Sequence, residues 1–230
     1  MRIRKWLLPL TAAVLAAALC TAVTAAEKEK DTKAQEKGFL EKDGELYYLD
    51  PESEDGILKD RLGVYLEGKY YRCDENGILT EVSEVEGLAG IQAEESGRDL
   101  KKAFDWSASL EYYTLLPEVF PGEERADIYA SFGFDTGQGD CYVAAATFYW
   151  MAKVLGEENL EYVEGHVEGT EGQMLEHAWV EQKDGDTTWF YDPYNMYRGR
   201  TAWKFLYGTK GSSRYVDSHN HSIAGETPKE

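Results

Sequence analysis

Residues 141–155 read CYVAAATFYWMAKVL, apolar nearly all the way round, and Gly156 closes the run. Such a segment predicts a helix buried on most sides, at the centre of a domain. Downstream, residues 160–167, 174–182 and 187–192 carry β-branched and aromatic residues between turn signals, which predicts three strands. Upstream, Leu100, Ala103, Phe104 and Leu110 recur at helical spacing within residues 99–116, ahead of a loop containing Pro117 and Pro121-Gly122. A helix followed by an antiparallel sheet is an α+β arrangement.

The N-terminal third has a different pattern. Gly38-Phe39, Asp43-Gly44, Leu46-Tyr47-Tyr48 and Asp55-Gly56-Ile57-Leu58 recur as Gly63-Val64, Glu67-Gly68, Tyr70-Tyr71 and Asn76-Gly77-Ile78-Leu79, with the tyrosine pairs 23 residues apart. Each copy places a Gly turn before and after an aromatic strand, which predicts a short β-hairpin unable to bury its apolar face alone. Residues 38–80 therefore read as a small hairpin array. The acidic, Gly-containing stretch 81–97 reads as a linker, and 27–37, EKEKDTKAQEK, as a solvated spacer.

The first 26 residues combine Arg2, Arg4 and Lys5, an apolar stretch from Trp6 to Leu19, and small residues ending in Ala25-Ala26. That predicts a secretory signal peptide, and no later apolar run approaches the ~20 residues a bilayer span needs. Expected partners therefore exclude stable membrane insertion after signal cleavage, and the expected location is secreted or extracellular. Across 230 residues the net charge is −19, or about −22 without the three leader cations. This charge repels phosphate backbones, so no nucleic acid is expected as a partner. Loss of the leader also removes Cys20, leaving Cys73 and Cys141, which excludes a disulfide-dense scaffold but leaves one bridge open.

Asp140 is a favourable N-cap residue, which puts Cys141 in the first turn of the central helix. There the unpaired N–H groups and the positive dipole end favour a thiolate. The turn signal Asp184-Gly185 predicts a two-residue hairpin, in which Lys183 faces Asp186, Val180 faces Trp189 and His177 faces Asp192. An imidazole beside a carboxylate on one sheet face has its tautomer fixed and its imidazolium stabilised. Gln138, three residues before Cys141, is a candidate oxyanion donor, and Trp106 is a second. His166 reads as a half-buried strand residue. His219 and His221 read as part of a polar tail at 218–230, so no metal and no cofactor is expected.

In order and spacing, Gly139-Asp140-Cys141, His177-Ala178-Trp179-Val180 and Trp189-Phe190-Tyr191-Asp192-Pro193 resemble the transglutaminase-like superfamily over residues 98–210, within a domain that reads as 98–217. The resemblance implies a papain-like core with Cys141 as nucleophile, His177 as base and acid, and Asp192 as orienting group. Residues 38–80 resemble the choline-binding or cell-wall-binding repeats of Gram-positive surface proteins. Phe39, Leu46 and Val64 stand where those repeats carry other aromatics, and the resemblance implies Phe39, Tyr48 and Tyr71 as ligand-binding candidates.

Together these readings imply an exported peptidase or amidase at a bacterial cell surface, acting through a thioester on a peptide or protein substrate. A cell-wall polymer is a further expected partner. The alternatives are a catalytically inactive wall-binding module and a protein-glutamine transamidase. A Cys73–Cys141 disulfide is the structural rival to the whole triad.

Overall fold

The computed structural model describes residues 37–114, 125–168, 172–194, 206–210 and 215–216. The expected leader, all of the spacer but Lys37, the loop at 117–122 and the tail at 218–230 lie outside the described residues. The described part is α+β, with antiparallel sheets and four helices. None of its helices is long and apolar enough to cross a membrane.

At the centre is α4 (Cys141–Val154), with Val143, Ala145 and Phe148 wholly buried and Gly156 at φ 92° just past its end. It packs against α3 (Arg125–Thr136), α2 (Leu100–Ala108) and one face of a five-stranded sheet. The sheet strands are β8 (Leu160–Glu168), β9 (Met174–Asp184), β10 (Thr187–Asp192), β11 (Leu206–Lys210) and β12 (Tyr215–Val216), ordered β11-β10-β9-β8-β12 and antiparallel throughout. Ala178, Val180 and Tyr191 join the helix-side core, while Val163, Trp179 and Phe190 form a second cluster. Burial on both faces accounts for the near-continuous apolar runs in these strands.

The hairpin turn departs from the expected one. Asp184 pairs with Thr187, so the turn residues are Gly185 and Asp186, and Val180 faces Tyr191 rather than Trp189. Gly185 has φ 57° and Asp186 a negative φ, the sign pattern of a type II′ turn with Gly first. The register therefore moves by two residues from the expected pairing. A shift of two leaves every side chain on its own face, whereas a shift of one would have inverted them.

The linker expected at 81–97 is instead helix α1 (Glu84–Glu95), with Val85, Ala89 and Ala93 buried. Ser83 caps it, its hydroxyl accepting the Glu86 N–H at 3.3 Å. Ala89 and Ala93 pack with Ala103 and Met151, so α1 belongs to the main core and not to a boundary.

The two repeat copies also differ from a uniform array. The first is a hairpin of β1 (Gly38–Lys42) and β2 (Glu45–Leu49). The second is a three-stranded sheet of β3 (Arg61–Leu66), β4 (Lys69–Cys73) and β5 (Leu79–Glu81), so the boundary expected at 80 falls inside a strand. This sheet lies directly on α1. A Cβ added to Gly63 would meet the Gly87 carbonyl oxygen at 2.2 Å, and one added to Gly90 would meet the Leu62 carbonyl oxygen at 2.2 Å. Strand and helix approach backbone to backbone, which only glycines permit. The second copy is thus part of the folded body and not a tethered appendage.

Candidate active site

Cys141 is the first residue of α4. Asp140, its N-cap, accepts the Tyr142 N–H at 3.1 Å, which fixes the helix start. Gly139 makes the approach possible, since a Cβ there would lie 2.3 Å from the Val143 Cβ. Two short parallel strands, β6 (Glu111–Tyr112) and β7 (Gln138–Gly139), tie this turn to the segment after α2.

His177 sits on β9, 2% exposed, and Asp192 ends β10, 7% exposed. His177 Nε2 lies 2.8 Å from Asp192 Oδ2. The other carboxylate oxygen, Oδ1, accepts the Tyr194 N–H at 3.1 Å, an Asx turn. With Nε2 engaged by Asp192, Nδ1 is the ring nitrogen left to face the thiol. The Cys141 thiol lies close enough to the imidazole for each to shift the other's pKa. The structure thus brings together the three residues singled out in the sequence.

Their electrostatics follow from burial and pairing. Burial alone would lower the His177 pKa, but the Asp192 charge and hydrogen bond, with a smaller contribution from Cys141, hold it at about 10. Burial pushes the Cys141 thiol up, with Asp140 and Asp192 adding to the effect, while the His177 hydrogen bond and charge pull it down. The expectation that the helix start would by itself favour a thiolate is therefore corrected. Burial dominates, and His177 is the main opposing influence.

The remaining candidates fare differently. The Gln138 amide donates to Glu111 Oε2 at 3.2 Å in an exposed position. Trp106 stacks on Phe134 with centroids 5.6 Å apart. His166 is half-buried on β8, as expected. Phe39, Tyr48 and Tyr71 do meet, with Phe39 5.2 Å from Tyr48 and 5.5 Å from Tyr71 between ring centroids. Tyr48 and Tyr71 are 7% and 6% exposed, so their faces are used in packing the repeats together. Cys73 and Cys141 are both free, which removes the disulfide rival. Cys73 donates to the Leu58 carbonyl at 3.1 Å, and burial pushes its thiol up to about 11.

Three supporting features were absent from the sequence reading. Tyr194 holds Asp192, and Asp192-Pro193 is itself a turn-initiating pair, so that signal was present. Trp179, fully buried and 6.3 Å from the His177 ring between centroids, donates its Nε1 hydrogen to Glu181 Oε1 at 2.8 Å. Arg125 pairs with Glu164 at 3.1 Å, and Tyr162 donates to the same carboxylate at 3.1 Å; no periodicity announces either contact. A groove of about 820 Å³ between the second repeat copy and the end of α4 contains none of the triad residues and is not part of this site. No cluster of three or more metal-ligating side chains occurs among the described residues.

No protein-family model matches the chain, and no curated protein matches it.

Proposed function

We propose that this chain is an exported cysteine-dependent hydrolase of the transglutaminase-like kind, cutting amide bonds of peptides or protein side chains at a bacterial cell surface. The observation that supports this reading is the buried 2.8 Å contact between His177 Nε2 and Asp192 Oδ2, with Cys141, at a helix start, close enough to the same imidazole for each to shift the other's pKa. A structural His–Asp pair needs no thiol beside its imidazole.

In this reading the Cys141 thiol gives its proton to solvent, leaving a thiolate beside the His177 imidazolium, and the sulfur then bonds to the amide carbon while the carbonyl π pair moves onto oxygen. The Cys141 N–H at the start of α4 stabilises that oxyanion. Collapse breaks the C–N bond, and the departing amine takes its proton from the His177 imidazolium, which the pKa of about 10 keeps protonated at neutral pH. The neutral imidazole then accepts a proton from water as its oxygen attacks the thioester, and carboxylate and thiol are released. Asp192 keeps the ring oriented throughout.

The test is turnover of synthetic and wall-derived peptides by the mature protein, read as amine released. The expected result is release that Cys141→Ala abolishes. A second reading, a silent wall-binding module, is favoured by the 5% exposure of Cys141. It would stand if no amide were cleaved and wall retention survived Cys141→Ala but not deletion of residues 38–80.

A further inference from the structure

Among the described residues, the short ladder beside the nucleophile has no strand paired to the other edge of β6. Glu111 N–H donates to the Gly137 carbonyl at 2.9 Å and Tyr113 N–H to the Gly139 carbonyl at 3.0 Å. Residues 111 and 113 therefore direct their backbone toward β7, and the alternation of a strand directs the Tyr112 N–H and C=O the other way. Tyr112 and Tyr113 are 57% and 49% exposed, among the most exposed large apolar side chains described. An unpaired strand edge is a template for another extended chain.

This edge continues into the site. The Tyr112 ring lies 6.5 Å from that of Tyr194, and the Tyr194 ring lies 6.4 Å from His177. Those two steps cover about four residues of extended chain. Two exposed carboxylates flank these rings, Glu111 next to Tyr112 and Glu176 next to His177, and Arg125 is paired with Glu164. Glu176 lies close enough to Tyr142, next to the nucleophile, to raise its phenol's pKa.

From these features we infer that the substrate is an extended, lysine- or arginine-bearing peptide that adds as a strand to the free edge of β6. Its backbone pairs with Tyr112, its chain runs along Tyr194, and its reacting carbonyl reaches Cys141 within about four residues. This rests on the hydrolase reading and specifies its substrate. Compact amides, lacking the chain to pair with Tyr112, are poor substrates.

The test uses peptidyl chloromethyl ketones of one, two and four residues, with lysine or glutamate side chains, and follows labelling of Cys141 by mass mapping. The sulfur bonds to the methylene carbon as the C–Cl bond breaks and chloride leaves. The four-residue lysine probe is expected to label at least tenfold faster than the one-residue probe, and severalfold faster than its glutamate counterpart at low salt. N-methylation of one backbone nitrogen remote from the ketone should abolish the length gain without any change to the protein, and Tyr112→Pro should shrink the same ratio. Labelling that depends on His177 but not on probe length, or a gain that survives every single N-methylation, overturns the inference and leaves the triad standing. Absence of His177-dependent labelling by every probe overturns both.

Discussion

His177 and Asp192 are hydrogen-bonded at 2.8 Å without being directly opposed in the β9–β10 ladder, where Val180 faces Tyr191. Following that register, the position opposite Asp192 is Trp179, and the imidazole reaches the carboxylate diagonally along one face. Asp192 is held from its other oxygen by the Tyr194 N–H, so the carboxylate is fixed independently of the histidine.

Asp192→Asn removes the charge that raises the His177 pKa while keeping an oxygen for the ring. Turnover should fall by roughly 10²–10⁴-fold, the scale on which a mis-set tautomer costs such a triad. NMR titration of the ring should find its pKa well below 10. A ring that still titrates near 10 would mean that Asp192 does not hold the proton.

The same shift carries a stability consequence. The folded pKa of about 10 lies above the ordinary 6.5, so the imidazolium stabilises the fold fully below about pH 6.5 and loses that contribution as pH rises through 10. Urea unfolding at pH 7 and pH 10 should show a larger loss in the wild type than in His177→Gln. Equal losses would contradict the pairing, since other groups titrating in this window are common to both proteins.

Gly63→Ala should destabilise the protein by about 2–3 kcal/mol, because its Cβ would sit 2.2 Å from the Gly87 carbonyl and force β3 off α1. Gly185→Ala meets nothing within 4 Å and carries only the strain of φ 57°, about 1 kcal/mol. Urea midpoints would separate them, and comparable values would mean that the second repeat copy is not seated on the helix.

Tyr71→Ala should cost about 3 kcal/mol through loss of the Phe39–Tyr48–Tyr71 packing. Choline should leave the melting temperature of the wild type unchanged, because the two buried tyrosines have no open face to offer a quaternary ammonium. A choline-dependent rise would show that the cluster opens.

The elements around the triad were legible where one local signal sufficed. The all-round apolar run 141–155 with Asp140 before it and Gly156 after it gave α4 almost to the residue. The β9–β10 hairpin was legible only to within two residues. Asp-Gly and Gly-Asp are both competent turn pairs, and the chain contains them overlapping at 184–186. The triad survived the error because parity, not register, decides which side chains share a face. Helix α1 was hidden by its glycines, which resemble linker residues, although Ser83 followed by Glu86 is a capping signal. Helix α3 was missed for a related reason. Gly133 in its middle reads as a breaker, yet a Cβ there would lie 2.6 Å from Val143 and Thr147, so the glycine serves close packing on α4. Contacts such as Arg125 with Glu164 are set by tertiary packing alone and leave no local trace.

The most direct test of the triad is the alkylation rate of Cys141 between pH 6 and 10, mapped by mass on non-reduced protein, in wild type and His177→Ala. Burial sets where the thiol titrates, and the claim lies in the difference between the two proteins. If the imidazole lowers the thiol's pKa through its hydrogen bond and charge, the wild type labels faster at neutral pH and the variant's profile moves to higher pH. Superimposable profiles would show that Cys141 and His177 do not act as a pair, and the hydrolase reading would fall with them.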